Sequence, residues 1–181
     1  MKPPLFGLLL AGGRSTRMGR DKASLVIGAD GLNQGQRAIQ GLLPVCQKVF
    51  LSLRDGQTAP EGCEHLEIVR DNPSISGPLA GILAAFEREP DAAWLVMACD
   101  LPFVTPEILH KLVHARREGT DFIAYASATD GLPEPLCAIY EPGTRAVLKR
   151  HADRNHLCPR HIMIEERATL LELPPSCRRA L

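Results

Sequence analysis

Leu5-Phe-Gly-Leu-Leu-Leu-Ala-Gly-Gly-Arg-Ser-Thr-Arg-Met-Gly-Arg-Asp-Lys22 decides how the chain is read. It opens with an unbroken apolar run, Leu5–Leu10, stopped by Gly12-Gly13, the pattern of a strand buried on both faces. Adjacent glycines after such a strand permit a tight turn and let backbone N–H groups come close to an anion. Five of the 21 basic residues (Lys2, Arg14, Arg17, Arg20, Lys22) fall in the first 22 positions, with Asp21 the only acid among them. Overall, 21 basic residues balance 21 acidic ones, so this local excess points to an anion site, polyphosphate foremost. The spacing is not G-x-x-x-x-G-K-[ST], because Arg20 follows Gly19, nor is it G-x-G-x-x-G. The competing reading is a strand-to-helix turn with a solvated basic face.

Beyond this stretch, short apolar runs alternate with helical patterns. Val49–Leu53, Leu66–Val69, Trp94–Cys99, Phe122–Ala126 and Leu136–Tyr140 read as strands, with Thr169–Leu173 a weak one. Asn33–Leu43 reads as a helix ending before Pro44, and Leu79–Glu89 carries Leu79, Ile82, Leu83 and Phe86 at helical spacing. Thr105-Pro106-Glu107 supplies a cap residue, a proline for the first helical position and an early acid, for a helix to about Arg117. A short helix is expected over Thr144–His151, and Asp130-Gly131 is turn chemistry between two strands. The alternation predicts a single α/β domain over residues 1–181: a Rossmann-like three-layer sandwich with a mostly parallel sheet and an antiparallel excursion near residues 122–140. Trp94 and the regularly spaced leucines belong to its core.

Composition narrows the function classes. The 181 residues are 45% hydrophobic and 23% charged, as in ordinary globular proteins. A near-neutral charge and 4% aromatic residues disfavour a nucleic-acid binder or an anionic-membrane binder. The longest apolar runs, Leu5–Ala11 and Ala92–Cys99, fall far short of a membrane span. Leu5–Ala11 lacks a small-x-small cleavage site and is followed at once by Arg14 and Arg17, so it is read as a strand and not as a secretory signal. Six scattered cysteines fit reduced thiols in a cytoplasmic protein better than a disulfide framework.

In parallel sheets ligands sit beyond the carboxyl ends of strands, so the residues after Leu10, Val69 and Cys99 are examined first. Asp100 ends the wholly apolar run Trp94–Cys99, a placement that suits a divalent cation, although capping a turn before Pro102 is an equal reading. Asp71 follows another strand and precedes Ser76-Gly-Pro-Leu-Ala-Gly81, a small-residue loop opening a helix; on its own Asp71 reads first as a turn residue. His151, His156, Cys158 and His161 cluster near the C-terminus, and Cys158-x-x-His161 has ligand-like spacing, but one such pair is a weak zinc signal and a surface loop is the preferred reading. Cys99 is expected to be a buried thiol.

Together these segments resemble the molybdenum cofactor guanylyltransferase family, within the nucleotidyltransferases of Rossmann-like (nucleotide-diphospho-sugar transferase) fold. The resemblance rests on Leu10-Ala-Gly-Gly13 with Arg17-Met-Gly19 and Asp21-Lys22, then Asp71, Gly77-Pro-Leu-Ala-Gly81, Cys99-Asp-Leu-Pro102 and, more weakly, Pro135–Tyr140. It implies that Leu10, Ala11, Gly12 and Gly13 cradle GTP, that Lys22 and Arg17 neutralise its phosphates, that Asp71 contacts the nucleotide and that Asp100 binds Mg²⁺. The implied reaction joins GMP from GTP to molybdenum-bearing molybdopterin, releasing pyrophosphate, with transient contacts to molybdenum cofactor biosynthesis or acceptor proteins. The alternatives are a cytidylyltransferase for the same pterin, a sugar-phosphate nucleotidyltransferase, or a non-catalytic nucleotide-binding homologue. The chain departs from the family at Gly28-Ala-Asp-Gly31-Leu32, where Gly-Lys-Pro-Leu is usual, and at Ser52, where asparagine is common. A C-terminal Asn-x-Asn-x-Pro segment, which the resemblance ties to pterin binding, has no counterpart before Leu181.

Overall fold

The computed structural model describes residues 2–12, 22–26, 31–177 and 180–181, with the backbone alone for Lys22 and Ser176. Seven strands form one sheet: β1 (Leu5–Leu10), β2 (Lys48–Leu53), β3 (Glu67–Arg70), β4 (Ala93–Ala98), β5 (Phe122–Ala126), β6 (Pro133–Tyr140) and β7 (Thr169–Leu171). Their order is β3-β2-β1-β4-β6-β5-β7. Only β6 runs against its neighbours β4 and β5; the other pairings are parallel. The expected sandwich with an antiparallel excursion is therefore what forms, the excursion being this one strand.

Among the described residues, five α-helices cover the sheet: α1 (Gln34–Leu42), α2 (Pro78–Arg88), α3 (Pro106–His114), α4 (Thr144–Asp153) and α5 (Pro159–Glu165). Alternation along β4 shows the layering. Leu95 and Met97 join a core with Leu42 of α1 and Leu109 of α3, while Trp94 and Val96 join Phe86 of α2, Leu148 of α4 and Ile162 of α5. A strand packed on both faces has no polar positions to spare, which is why β1 and β4 read as unbroken apolar runs. Trp94 is fully buried, with Phe6, Phe50 and Phe86 edge-on at 5.8, 5.3 and 6.5 Å. Each such pair adds about 0.5–1.5 kcal/mol beyond burial itself, which offsets the unpartnered Trp94 Nε1.

Local chemistry sets the element ends. Asn33 and Gln36 close a reciprocal capping box on α1, with bonds of 2.8 and 3.0 Å. Thr105 occupies the N-cap of α3 without making a cap bond; its hydroxyl lies 3.9 Å from Cys177 Sγ, and Pro106 and Glu107 carry the start signal alone. That helix stops at His114, three residues short of expectation, because Arg116 turns inward. Its guanidinium bonds both oxygens of Glu141, at 2.6 and 2.9 Å, in a buried pair that also holds the Pro3 carbonyl. This clamp fixes the amino-terminal end of β1, opposite the end where ligands are expected. Helix α5, not expected from sequence, is tied to the start of β6 by Arg160, which reaches Asp130 and Glu134 at 3.1 Å each.

Candidate active site

Strand β1 is the switch point of the sheet: β2 and β3 lie on one side of it and β4 on the other. Crevices form at such points, beyond the carboxyl ends of the strands. Here the ends of β1 to β4 open onto one cleft of about 880 Å³, which brings Gly12, Asp71 and Asp100 together. The loop opening α2 forms a further wall, so all three strand ends singled out in the sequence face the same space.

Asp71 is built in tightly. Its N–H donates to the Leu53 carbonyl at 2.9 Å, and its Oδ1 accepts from the Ser52 hydroxyl at 2.6 Å. Two glycines make room for it. A Cβ on Gly12 would lie 2.6 Å from Asp71 Oδ2, and a Cβ on Gly81 would lie 2.2 Å from Ser52 Oγ and 3.0 Å from Asp71 Oδ1. Burial pushes the Asp71 carboxyl above its ordinary value, against the Ser52 hydrogen bond and the Arg54 and Arg70 charges that pull it down. A turn aspartate is ordinarily solvated; this one is held half-buried beside a cleft, which is how functional carboxylates are poised.

The backbone after β1 is partly engaged by the protein itself. Ala11 donates its N–H to the Ser52 carbonyl at 3.1 Å and accepts from Gln57 Nε2 at 2.8 Å, while the Leu10 carbonyl accepts from Cys99 N–H at 3.2 Å. Leu10, Ala11 and Gly12 of the expected cradle line the cleft, with both backbone groups of Ala11 already hydrogen-bonded within the protein. Gly13 and Arg17 lie outside the described residues, as does the Lys22 side chain; the Lys22 backbone starts a short 3-10 turn.

Asp100 is exposed at the cleft, just past the buried end of β4, and Cys99 beside it is partly buried. Asp71 and Asp100 bring hard oxygen donors to the cleft, a set that fits Mg²⁺, which takes one or two carboxylates and completes its shell with phosphate and water oxygens. Gly77 caps α2 at a φ of 77° with no side-chain cap bond, a conformation that glycine adopts without strain. Pro78, Ala80 and Gly81 then present a small-residue wall to the cleft.

Sequence reasoning missed other residues here. Arg54 follows β2, and the same strand-end rule would have found it. Its loop is braced by Arg70, whose Nη1 donates to the Arg54 and Gln57 carbonyls at 2.9 and 2.8 Å. Asn155 and Leu157 enter the cleft from the segment after α4, with no local signal of where that segment lies.

Residues 7–169 match the MobA-like NTP transferase domain. The chain belongs to this family. It is 36% identical over 160 residues to a molybdenum cofactor biosynthesis bifunctional protein from Synechocystis sp., covering 88% of this chain and 46% of that one. It is 34% identical over 155 residues to a molybdenum cofactor guanylyltransferase from Nitrobacter hamburgensis, covering 82% and 72% respectively. The chain thus spans about half the length of the bifunctional relative and under three quarters of the second. The solved molybdopterin-guanine dinucleotide biosynthesis protein A of Archaeoglobus fulgidus has the same fold, with a TM-score of 0.69 at 24% identity over 94% of this chain and 84% of that one. The fold is that of a nucleotidyltransferase.

The raised Asp71 carboxyl gives a stability prediction. In the unfolded chain this group ionises near pH 3.9; in the fold it ionises later. The folded state therefore holds more protons between the two values, and stability falls as pH rises through that window, leaving a cost at pH 7 that is absent below the unfolded value. Asp71→Asn, which keeps an oxygen for Ser52, is expected to raise the apo-protein Tm at pH 7 and to leave it unchanged near pH 3.5. Calorimetry at the two pH values checks this; a lowered Tm at pH 7 contradicts it.

Proposed function

We propose that this chain transfers GMP from GTP to the terminal phosphate of molybdenum-bearing molybdopterin, giving the guanine dinucleotide cofactor and pyrophosphate. The observation that carries the reading is the meeting of Gly12, Asp71 and Asp100 in one cleft at the switch point of the sheet, in a chain over 30% identical to a named guanylyltransferase.

In the proposed reaction a pterin phosphate oxygen attacks the α-phosphorus of GTP, the bond between that phosphorus and its bridging oxygen breaks, and pyrophosphate leaves with the electron pair. A phosphate monoester is largely dianionic at neutral pH, so no general base is needed. The protein's work is positioning and charge neutralisation. Gly12 lets the triphosphate come close to backbone, and Arg17 and Lys22 offset its charge. Asp71 contacts the nucleotide, and the wall of Pro78, Ala80 and Gly81 leaves room for the nucleoside. Asp100 would hold Mg²⁺, which supplies further neutralisation of phosphate charge when bound. Free cysteines throughout and the absence of any described helix long and apolar enough to cross a membrane support a cytoplasmic setting. The substrates are small molecules, with contacts to molybdenum cofactor biosynthesis or acceptor proteins brief ones at hand-over.

Nucleotide choice tests the proposal. Thermal stabilisation by GTP with Mg²⁺, with none from CTP or UTP, is expected, as is pyrophosphate release when the molybdenum-bearing pterin is added. Equal stabilisation by CTP would move the chain to the cytidylyltransferases.

A further inference from the structure

Where α4 meets α5, a second set of ligand-type side chains converges. Helix α4 ends in a Schellman turn: Asn155 takes a φ of 59°, its N–H donates to the Ala152 carbonyl at 2.8 Å, and the His156 N–H donates to the His151 carbonyl at 2.9 Å. The turn folds His156 back beside His151, with ring centroids 6.0 Å apart. Helix α5 ends the same way, with Arg167 at a φ of 55° and the Ala168 N–H on the Met163 carbonyl at 2.9 Å, which leaves Glu165 and Glu166 facing His151. One ligand atom from each of His151, His156 and Glu165 lies within 4.8 Å of the others.

His151 is the anchor. It is 5% exposed, and its Nε2 lies 3.0 Å from Glu166 Oε1, which also accepts from Arg150 Nη2 at 2.7 Å. Glu166 is so placed that it can accept from Nε2, the tautomer that leaves Nδ1 a lone pair. Nδ1 is buried and without a hydrogen-bond partner. It faces Glu165 Oε2 at 3.8 Å, itself an acceptor. With the proton on Nε2, Nδ1 and this carboxylate are two acceptors across a gap, and a cation between them satisfies both. A carboxylate on the far nitrogen of a ligating histidine is the usual outer-shell support of a metal site.

We propose that His151 Nδ1, His156 and Glu165 bind a divalent cation of the Zn²⁺ class. Two imidazoles and a carboxylate suit this class, and three protein ligands leave an open position. Zn–N bonds near 2.05 Å place tetrahedral ligands about 3.3 Å apart, a contraction that falls to the exposed side chains of His156 and Glu165. Cys158 and His161, the pair the sequence made conspicuous, are not in the group. Asn155 and Leu157, on either side of His156, line the active-site cleft, so a metal here pins that wall.

Calorimetric titration of untagged, chelator-stripped protein with Zn²⁺ in excess Mg²⁺, which occupies the cleft carboxylates, tests this. One tight equivalent is expected, weakened at least about 10-fold in both His156→Ala and Glu165→Gln and unchanged in Cys158→Ser. Both diagnostic ligands are exposed, so these variants fold. No tight equivalent, undiminished affinity in either of the first two variants, or loss in Cys158→Ser overturns the site.

Discussion

Gly12→Val is expected to fold and to bind GTP at least about 100-fold more weakly, a loss of about 2.7 kcal/mol. The first atom of the new side chain would lie 2.6 Å from Asp71 Oδ2 and 3.4 Å from Arg54 Cγ. Asp71 has little room to yield, since Ser52 holds its other oxygen at 2.6 Å and a short side chain offers few rotamers. The branched group therefore settles in the space that phosphate oxygens need, or lifts the backbone away from them. Folding survives because the core of β1 lies in Leu5, Leu8 and Leu9, on the far side of the cleft rim. Circular dichroism and calorimetric titration with GTP separate the two effects. Parent-like affinity would place the triphosphate elsewhere.

Asp100→Asn is expected to leave the Tm within about 1 °C of the parent, as for most exposed substitutions, and to lower turnover by about 10³-fold or more. Asn offers Mg²⁺ a neutral oxygen in place of a carboxylate, and the transferring phosphoryl group then keeps charge that the metal would have offset. Pyrophosphate release across a Mg²⁺ series is the measurement. Unchanged turnover at limiting Mg²⁺ would remove Asp100 from the metal site and leave its turn-capping role.

How much of this was legible varied with the local physics. β1 and β4 were plain, because a strand covered on both faces must be apolar throughout, and the strand-end rule then led to Gly12, Asp71 and Asp100. The start of β6 was not, because Pro133 and Pro135 read as breakers. The structure shows where they sit: β6 pairs with β4 only from Cys137 to Tyr140, so the earlier residues pair on the β5 side alone, Pro133 opposite Ala126 beside a register shift, the half-paired, bulged kind of stretch in which proline is tolerated. Helix α5 was hidden because seven residues with Ile162 and Met163 adjacent give no helical period. The histidine cluster was assigned to a surface loop because separation along the chain does not reveal that two left-handed turns, at Asn155 and Arg167, fold both segments around a buried His151. Ser52 was noted only as a departure from the family; its hydroxyl is what holds Asp71 in place.

The decisive experiment is a crystal structure of the protein grown with GTP and Mg²⁺. The triphosphate should lie along the backbone at Gly12, with the metal joining it to Asp100 and the nucleoside against the Gly77–Gly81 wall. A vacant crevice under those conditions, or a nucleotide bound away from these strand ends, would contradict the proposed chemistry.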